Sequence, residues 1–519
     1  MSVSTTRPAV AGPLDDFANA APDRLDAEFR RLAGAVWNGG APDAAAPAAV
    51  PDIVAALGRV DDRRKGYLAV LLGLLAEAEY PRSGPLTAAV RDGLGAYLDL
   101  VARAERGTPL TLALLYLLSH FPADRERVLA ATAHLALDEE DRTRLERGLR
   151  ELDPAAPDLG RCWPAPSVWK LTAEEREFDR QWIGGLTPAQ IAKNWENDTR
   201  TMLGYSGAMA YWAVRNGTPP VEVPTPPPAG VPAAPAAPAG ELGVDAFARY
   251  AAELRCPACS GALDFGADAV RCAACAVRYP IARGILDLSE GVSESSADAP
   301  HEATANLLAK LAEMPSMGVY YETVLRPAFL RIAGANWGGA VTPADEDGYI
   351  ARRIRPVDGP VLDLACGAGR WTTVVAQTVG RDRLIGLDMG LPMLTVMRGK
   401  LPEVPAVRAS ALDIPFGDGT LAAVNCWNAL QAFPDDAERA VAEVGRVLRP
   451  GGTFTMMTFL FDEDPVARYF QESHFFPSRP EGMLLFELPE LRRWLADAGM
   501  SVVDASGPGS FAFITAVKD

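Results

Sequence analysis

The sequence predicts a multidomain chain with an all-α N-terminal half, a small β-rich unit, and a C-terminal α/β domain on an open, mostly parallel sheet. Three observations carry this reading. Apolar residues recur at three- and four-residue steps from Leu14 to about Asp153. Two Cys-x-x-Cys pairs, Cys256/Cys259 and Cys272/Cys275, stand twelve residues apart. Val361-Leu-Asp-Leu-Ala-Cys-Gly-Ala-Gly-Arg-Trp-Thr372 reads as a buried strand, a glycine turn and the start of a helix. A length of 519 residues leaves room for roughly two to four domains.

Bulk composition narrows the function classes. Hydrophobic content of 49% and charged content of 23% are those of a soluble globular protein. A net charge of −17 argues against tight, sequence-independent nucleic-acid binding, which needs a surplus of Lys and Arg. Met1–Asp16 shows no charged-plus-apolar leader. The apolar runs Leu68–Ala76 and Leu110–Leu118 are too short to span a bilayer and read as buried helices. Four of the seven Cys fall in one metal-like cluster, which suits a reducing interior, so a cytoplasmic location is expected.

In chain order, residues 1–13 are expected to be disordered and residues 14–217 to form a helical domain. Thr108 before Pro109 reads as an N-cap followed by proline at the first helical position. The helix pairs fit either a short HEAT-like array or an irregular bundle. His120 and His134 read as packing residues and not as ligands. Trp163, Trp169, Trp182, Trp195 and Trp212 crowd the end of this domain, as the core of a helical unit or as the lining of a groove. Capping boxes are expected at Thr172–Glu175 and Thr187–Gln190. Residues 218–242 are a Pro/Ala-rich linker that cannot pack as an element.

Residues 243–288 hold the four cysteines. Each Cys-x-x-Cys is a knuckle that turns two thiolates toward one metal, and two knuckles complete a tetrahedron around Zn²⁺. A redox role needs only one such pair. Cys256, Cys259, Cys272 and Cys275 are therefore the expected zinc ligands. A closed four-sulfur set holds a small fold together and leaves no open position for chemistry. Residues 289–303 form a second linker, and residues 304–519 the last domain.

In that domain Gly367 and Gly369 let the backbone turn tightly and approach a ligand. Leu384-Ile-Gly-Leu-Asp388 reads as a second strand whose terminal carboxylate can accept from ribose hydroxyls. These segments, with Ala411–Phe416 and Glu443–Gly452, resemble a class I S-adenosylmethionine (SAM) dependent methyltransferase of the ubiquinone/menaquinone type. Residues 279–288 extend a resemblance to zinc ribbons fused to such enzymes. The resemblance implies a Rossmann-like domain with a seven-stranded sheet, and SAM as cofactor. It places Asp363 near the cationic end of SAM, Ala365, Gly367 and Gly369 around its methionine part, Asp388 on the ribose and Met389 against the adenine. Ser410, Ala411 and Leu412 would meet the adenine edge, with Ser410 where relatives often carry Asp. Asn425 would sit at the tip of the fourth strand, and Tyr320 in a lid helix. Cys366 is read as a buried small residue and not as a nucleophile.

Methyl transfer from a sulfonium is an in-line displacement in which alignment and water exclusion supply much of the rate. A base is needed only where the acceptor must lose a proton. The expected acceptor-facing cap is the insertion Phe459–Leu485. His474 within it and Tyr321 are the candidate bases. The leading expectation is an enzyme methylating a small molecule or a peptide in specialised metabolism, with the helical half contacting the acceptor or a protein partner. The alternatives are an RNA methyltransferase that presents substrate through the ribbon, and an inactive scaffold.

Overall fold

A computed structural model describes residues 10–157, 183–219, 242–266, 269–289, 340–432, 436–473 and 485–519, and the single residues 159, 180, 326, 329, 330, 334 and 338. His474, Tyr320, Tyr321, Trp163, Trp169, Trp182 and the Thr172 capping box lie outside these residues.

The N-terminal half is helical: α1 (Ala11–Ala18), α2 (Leu25–Gly34), α3 (Ala46–Ala56), α4 (Asp62–Glu77), α5 (Pro85–Asp92), α6 (Leu94–Val101), α7 (Pro109–Leu118), α8 (Arg125–Thr132), α9 (Glu139–Gly148) and the long α10 (Pro188–Asn216), with a two-residue hairpin, β1 (Trp37–Asn38) and β2 (Ala41–Pro42), between α2 and α3. The first helix begins inside the stretch expected to be disordered, because Leu14 and Phe17 reach the core. Two central helices, α4 and α7, are buried all round, as their unbroken apolar runs require. Thr108 caps α7 by accepting from the Thr111 amide, with Pro109 in the first turn. Thr187 and Gln190 form the reciprocal capping box of α10. The 29 residues of α10 end at Gly217, whose φ of +67° is the left-handed cap that glycine adopts without strain.

The four-cysteine unit follows a short helix, α11 (Asp245–Ala248), and contains β3 (Leu263–Phe265), β4 (Val270–Cys272) and β5 (Arg278–Tyr279). Its last hairpin, β6 (Ile281–Ala282) and β7 (Ile285–Asp287), leaves the ribbon. It joins the C-terminal sheet, where β7 pairs in parallel with β10 (Ala406–Arg408).

The C-terminal domain alternates helix and strand. It contains α12 (Pro343–Arg353), β8 (Val361–Leu364), α13 (Arg370–Val379), β9 (Leu384–Asp388), α14 (Leu391–Lys400), β10, β11 (Leu421–Trp427), α15 (Ala437–Val447) and β12 (Leu448–Phe459). The chain continues through α16 (Pro465–Glu472), α17 (Leu488–Asp497), β13 (Met500–Ser506) and β14 (Phe511–Lys518). Across the sheet the order is β13-β14-β12-β11-β8-β9-β10-β7-β6, with β14 antiparallel to both neighbours. Among the described residues the sheet therefore has nine strands and not seven. The seven that the resemblance implies are all present, and the ribbon's hairpin adds two at the exposed edge of β10, where unpaired backbone groups favour a further strand. Every residue of β8 and β11 is buried, as expected of central parallel strands covered on both faces.

The domain boundaries drawn from composition do not coincide with the cores. Phe247, Tyr250 and Leu254 of the ribbon segment share a core with Ile385, Phe416 and Val424 of the sheet. Val466 and Phe470 of α16 belong to the core of the N-terminal helices. The insertion expected to face an acceptor thus turns, over its described part, toward the helical half. Tyr469 donates to Glu77 of α4 (2.9 Å), and Tyr211 of α10 donates to Asp464, the N-cap of α16 (2.9 Å). Both ends are buried apolar helix faces, and each stabilises the other by leaving water.

Candidate functional site

The glycine turn lies at the carboxyl end of β8, between β11 on one side and β9 on the other. Strand order switches direction here, which opens a crevice above the sheet. The turn is made by three consecutive odd positions with positive φ: Ala365 (+54°), Gly367 (+52°) and Gly369 (+82°). At Gly369 a methyl group would lie 2.6 Å from Met397 of α14, so this glycine sets the packing of the turn on that helix. At Gly367 the nearest atom to an added methyl is 3.8 Å away, the terminal carbon of Met393. Its open face is free for a ligand to approach the backbone.

Asp388, at the end of β9, accepts from the Gly367 amide on one oxygen and from the Gly390 amide on the other, both at 2.8 Å. Each oxygen keeps a further acceptor direction. The carboxylate thereby ties the glycine turn to the second strand and remains able to receive two hydroxyls. Beside it Met389 and Leu391 expose 40% and 42% of their surface, unusual for large apolar side chains flanking a crevice. Ser410 is half-buried and its hydroxyl accepts from the Leu412 amide (3.1 Å), and Ala411 is buried.

Asp363 and Asn425 lie buried beneath the turn. Asp363 is 2% exposed, and each of its oxygens accepts from a side chain of the domain: Thr372 donates to one at 2.5 Å and Asn425 to the other at 2.7 Å. Burial pushes its carboxyl up to about 6, with the two hydrogen bonds pulling the other way. Asn425 is fully buried and meets Asp363, not open space. The reason is register. Asp363, Asn425, Thr455 and Thr515 are successive cross-strand neighbours on β8, β11, β12 and β14, so they form one polar row under the turn. Asp363 acts as a positioning residue, tying the first turn of α13 and the tip of β11 to the end of β8.

Sequence reasoning missed the wall behind this row. Arg326 and Glu346 form a buried ion pair, and the Trp427 indole donates to Glu346 at 3.0 Å. The Arg326 guanidinium also lies 5.3 Å from the centre of the Trp371 ring, just after the glycine turn. The Thr342–Asp345 capping box that starts α12, and so places Glu346, was the available signal. The Glu443–Gly452 motif has a structural role. Glu443 accepts from the Ile414 amide (2.8 Å), and Arg446 donates to the carbonyls of Ile414 and Phe416 (both 2.8 Å), clamping the Ala411–Phe416 loop. Cys366 is buried and its thiol is pushed well above the usual range, which suits a packing residue.

The four ribbon sulfurs all lie within 4.8 Å of one another. A tetrahedral Zn²⁺ with bonds of about 2.3 Å places its sulfurs roughly 3.8 Å apart. Cys256–Cys275 at 3.7 Å and Cys259–Cys272 at 3.4 Å match that spacing. Amides of Ala274 and Cys275 point at the Cys272 sulfur (3.4 Å each) and draw that thiol down to about 6. The residues just after each knuckle, Ser260 and Ala276, both have positive φ, so the two knuckles repeat one backbone turn. The donor set fits the ion.

The fold and the glycine-turn site define a nucleotide-binding α/β domain of the methyltransferase kind. Residues 361–452 match a family model described as a methyltransferase domain. An uncharacterized chloroplastic methyltransferase of Arabidopsis thaliana is 31% identical over 166 residues, covering 30% of this chain and 45% of that protein. A demethylmenaquinone methyltransferase of Lactiplantibacillus plantarum is 32% identical over 115 residues, covering 21% and 48%. A solved putative methyltransferase from Bacillus halodurans has 20% identity and a TM-score of 0.27, covering 31% of this chain and 71% of that one. The chain spans about half the length of the curated relatives it matches. Its C-terminal part is a class I SAM-dependent methyltransferase domain. No helix of the described residues is long and apolar enough to cross a membrane.

Proposed function

We propose that the whole chain is a SAM-dependent methyltransferase acting on a small-molecule or peptide acceptor in specialised metabolism, with zinc holding the ribbon together. The observation that carries this is the joint geometry of Gly367 and Asp388: an open backbone face and a half-used carboxylate, linked at 2.8 Å across a strand switch. Bound there, SAM supplies a methyl group already activated on a sulfonium.

The chain's own residues divide the work. The open backbone face of Gly367 lets the cofactor approach the turn, the free acceptor directions of Asp388 take its hydroxyls, and Met389 and Leu391 cover an aromatic face. Ser410 has a hydroxyl for the adenine edge, without the charge assistance an Asp gives. Asp363, Thr372 and Asn425 keep the turn rigid from beneath, which fixes the line of attack. Zinc on Cys256, Cys259, Cys272 and Cys275 supports a unit with little core of its own. That support extends to the adenine side, because Asp287 of β7 pairs with Arg408, whose guanidinium also donates to the Met389 carbonyl (3.1 Å).

Calorimetric titration with S-adenosylhomocysteine tests the cofactor half. Asp388→Ala is expected to weaken binding at least about tenfold, the loss of two charge-assisted hydrogen bonds. Unchanged affinity would remove the basis of the reading. Tritiated SAM with fractionated cell extract then reports which fraction gains label: small molecules, peptides or RNA.

A further inference from the structure

Sheet register draws three charged residues from different strands into one row. Arg408 of β10 stands opposite Asp388 of β9 on one side, and opposite Asp287 of the ribbon's β7 on the other. Its guanidinium reaches both ways. Nη1 donates to Asp287 at 3.1 Å, and Nε donates to the Met389 carbonyl at 3.1 Å. A planar fork holds two such partners in a fixed relation, which a flexible ammonium does not. Asp287 is itself fixed, because its other oxygen accepts from the amide (3.0 Å) and the hydroxyl (2.5 Å) of Ser289.

The same hairpin meets the far end of the helix that follows Met389. Arg398, near the end of α14, is 3% exposed. It donates to the Arg283 carbonyl in the hairpin turn (3.4 Å) and to the carbonyls of Pro402 (2.7 Å) and Val404 (2.6 Å). A methyl group on Gly284 would lie 2.6 Å from Arg398 Nη2, so the turn seats directly on the guanidinium. The hairpin therefore braces the segment from Met389 through α14 at both ends.

With two residues in β6 and three in β7, the hairpin has little stability of its own. Its entry is tied to the four-cysteine centre. Tyr279, two residues before β6, is fully buried, and its hydroxyl lies 3.0 Å from the Cys256 sulfur. A continuous run of bonded groups thus leads from an expected zinc ligand to the loop that carries Asp388 and Met389.

We infer that Arg408 is a positioning residue for the cofactor, and that through it the four-cysteine centre and the cofactor site are coupled. The ordered ribbon holds Asp287, Asp287 holds Arg408, and Arg408 holds the Met389 carbonyl, which sets the loop for ribose and adenine. The inference rests on the reading that SAM binds at Asp388. Coupling between two binding sites is reciprocal: the factor that zinc adds to cofactor affinity is the factor the cofactor adds to zinc affinity.

Calorimetry with S-adenosylhomocysteine on the full-length, zinc-loaded chain tests the positioning role. Asp287→Asn should weaken binding about threefold and Arg408→Ala about tenfold, as a partly exposed ion pair and a charge-assisted hydrogen bond are lost. The double variant should bind like Arg408→Ala alone, because the two residues act as one unit. Both side chains are partly exposed, so neither change opens a cavity in the core. Competition for zinc with a chromogenic chelator tests the coupling. Saturating S-adenosylhomocysteine should raise the zinc affinity of the native chain about tenfold and leave that of Arg408→Ala nearly unchanged. Unaltered cofactor affinity in both variants, or zinc affinity indifferent to the cofactor in the native chain, overturns the inference while the cofactor reading stands. Failure of the native chain to bind S-adenosylhomocysteine overturns both.

Discussion

Replacing Phe470 with alanine tests whether the two halves of the chain share one core. Phe470 is completely buried, yet it comes from the methyltransferase half. Its ring meets Tyr116 edge-on at 5.6 Å and Tyr211 at 6.4 Å, both from the helical half. A methyl group on Gly207 of α10 would lie 2.2 Å from the same ring, so the helix backbone itself forms part of the socket. Phe→Ala at such a site costs about 3–5 kcal/mol. The upper part of that range is expected, because rigid rings and a bare glycine cannot collapse into the hole. The complementary change separates packing from general damage. Gly207→Ala overpacks the native socket and should cost about 1–3 kcal/mol. In the Phe470→Ala background the added methyl enters free space, so the double variant should be more stable than Phe470→Ala alone. Urea unfolding followed by far-UV circular dichroism and tryptophan fluorescence measures both. Trp37, whose ring lies 5.0 Å from that of Tyr469, reports locally. A loss below about 1 kcal/mol for Phe470→Ala, or equal costs of Gly207→Ala in both backgrounds, refutes a shared core.

Three further outcomes are expected. Asp363, with its folded pKa raised to about 6, is stabilising in its neutral form and loses that stability as pH rises from about 4 through 6. The stability of Asp363→Asn minus that of the native chain should therefore climb across this window and level off above it. A flat difference between pH 4 and 7 contradicts the burial argument. Cys272→Ser should lower zinc content, measured by plasma mass spectrometry, from one equivalent per chain toward zero and loosen hydrogen-exchange protection in β6 and β7. Loss of protection confined to β3–β5 would show that the added strands stand without the ribbon. Gly369→Ala places a methyl 2.6 Å from Met397 at a φ of +82°. It should cost about 1–3 kcal/mol by thermal denaturation, more than Gly367→Ala, whose surroundings are open.

The strand–turn–helix unit, the carboxylate at Asp388, the caps at Thr108 and Thr187 and the two cysteine knuckles were all legible in order along the chain. Each is a local arrangement: a turn that needs positive φ, a cap three residues from its partner, a pair of thiols two residues apart. Periodicity likewise exposed α4 and α7, because a helix buried all round must be apolar all round.

Tertiary structure alone decided which of these pieces meet. Asp363 reads as a ligand contact from its place before the glycine turn, but only sheet register sets Asn425 beside it and α13 brings Thr372 over it, so that it is buried with a side-chain donor on each oxygen. The ribbon's last hairpin reads as part of a separate module, but its backbone finds unpaired partners on the edge of β10. Helix α16 sits in the sequence of the methyltransferase domain and in the core of the helical half, because Phe470 leaves water wherever a matching socket exists. The sequence by itself determined the local conformations and the chemistry each carries. The sheet order and the shared core depend on contacts between residues distant along the chain, such as Val361 with Ala423 and Tyr116 with Phe470, which no local pattern encodes.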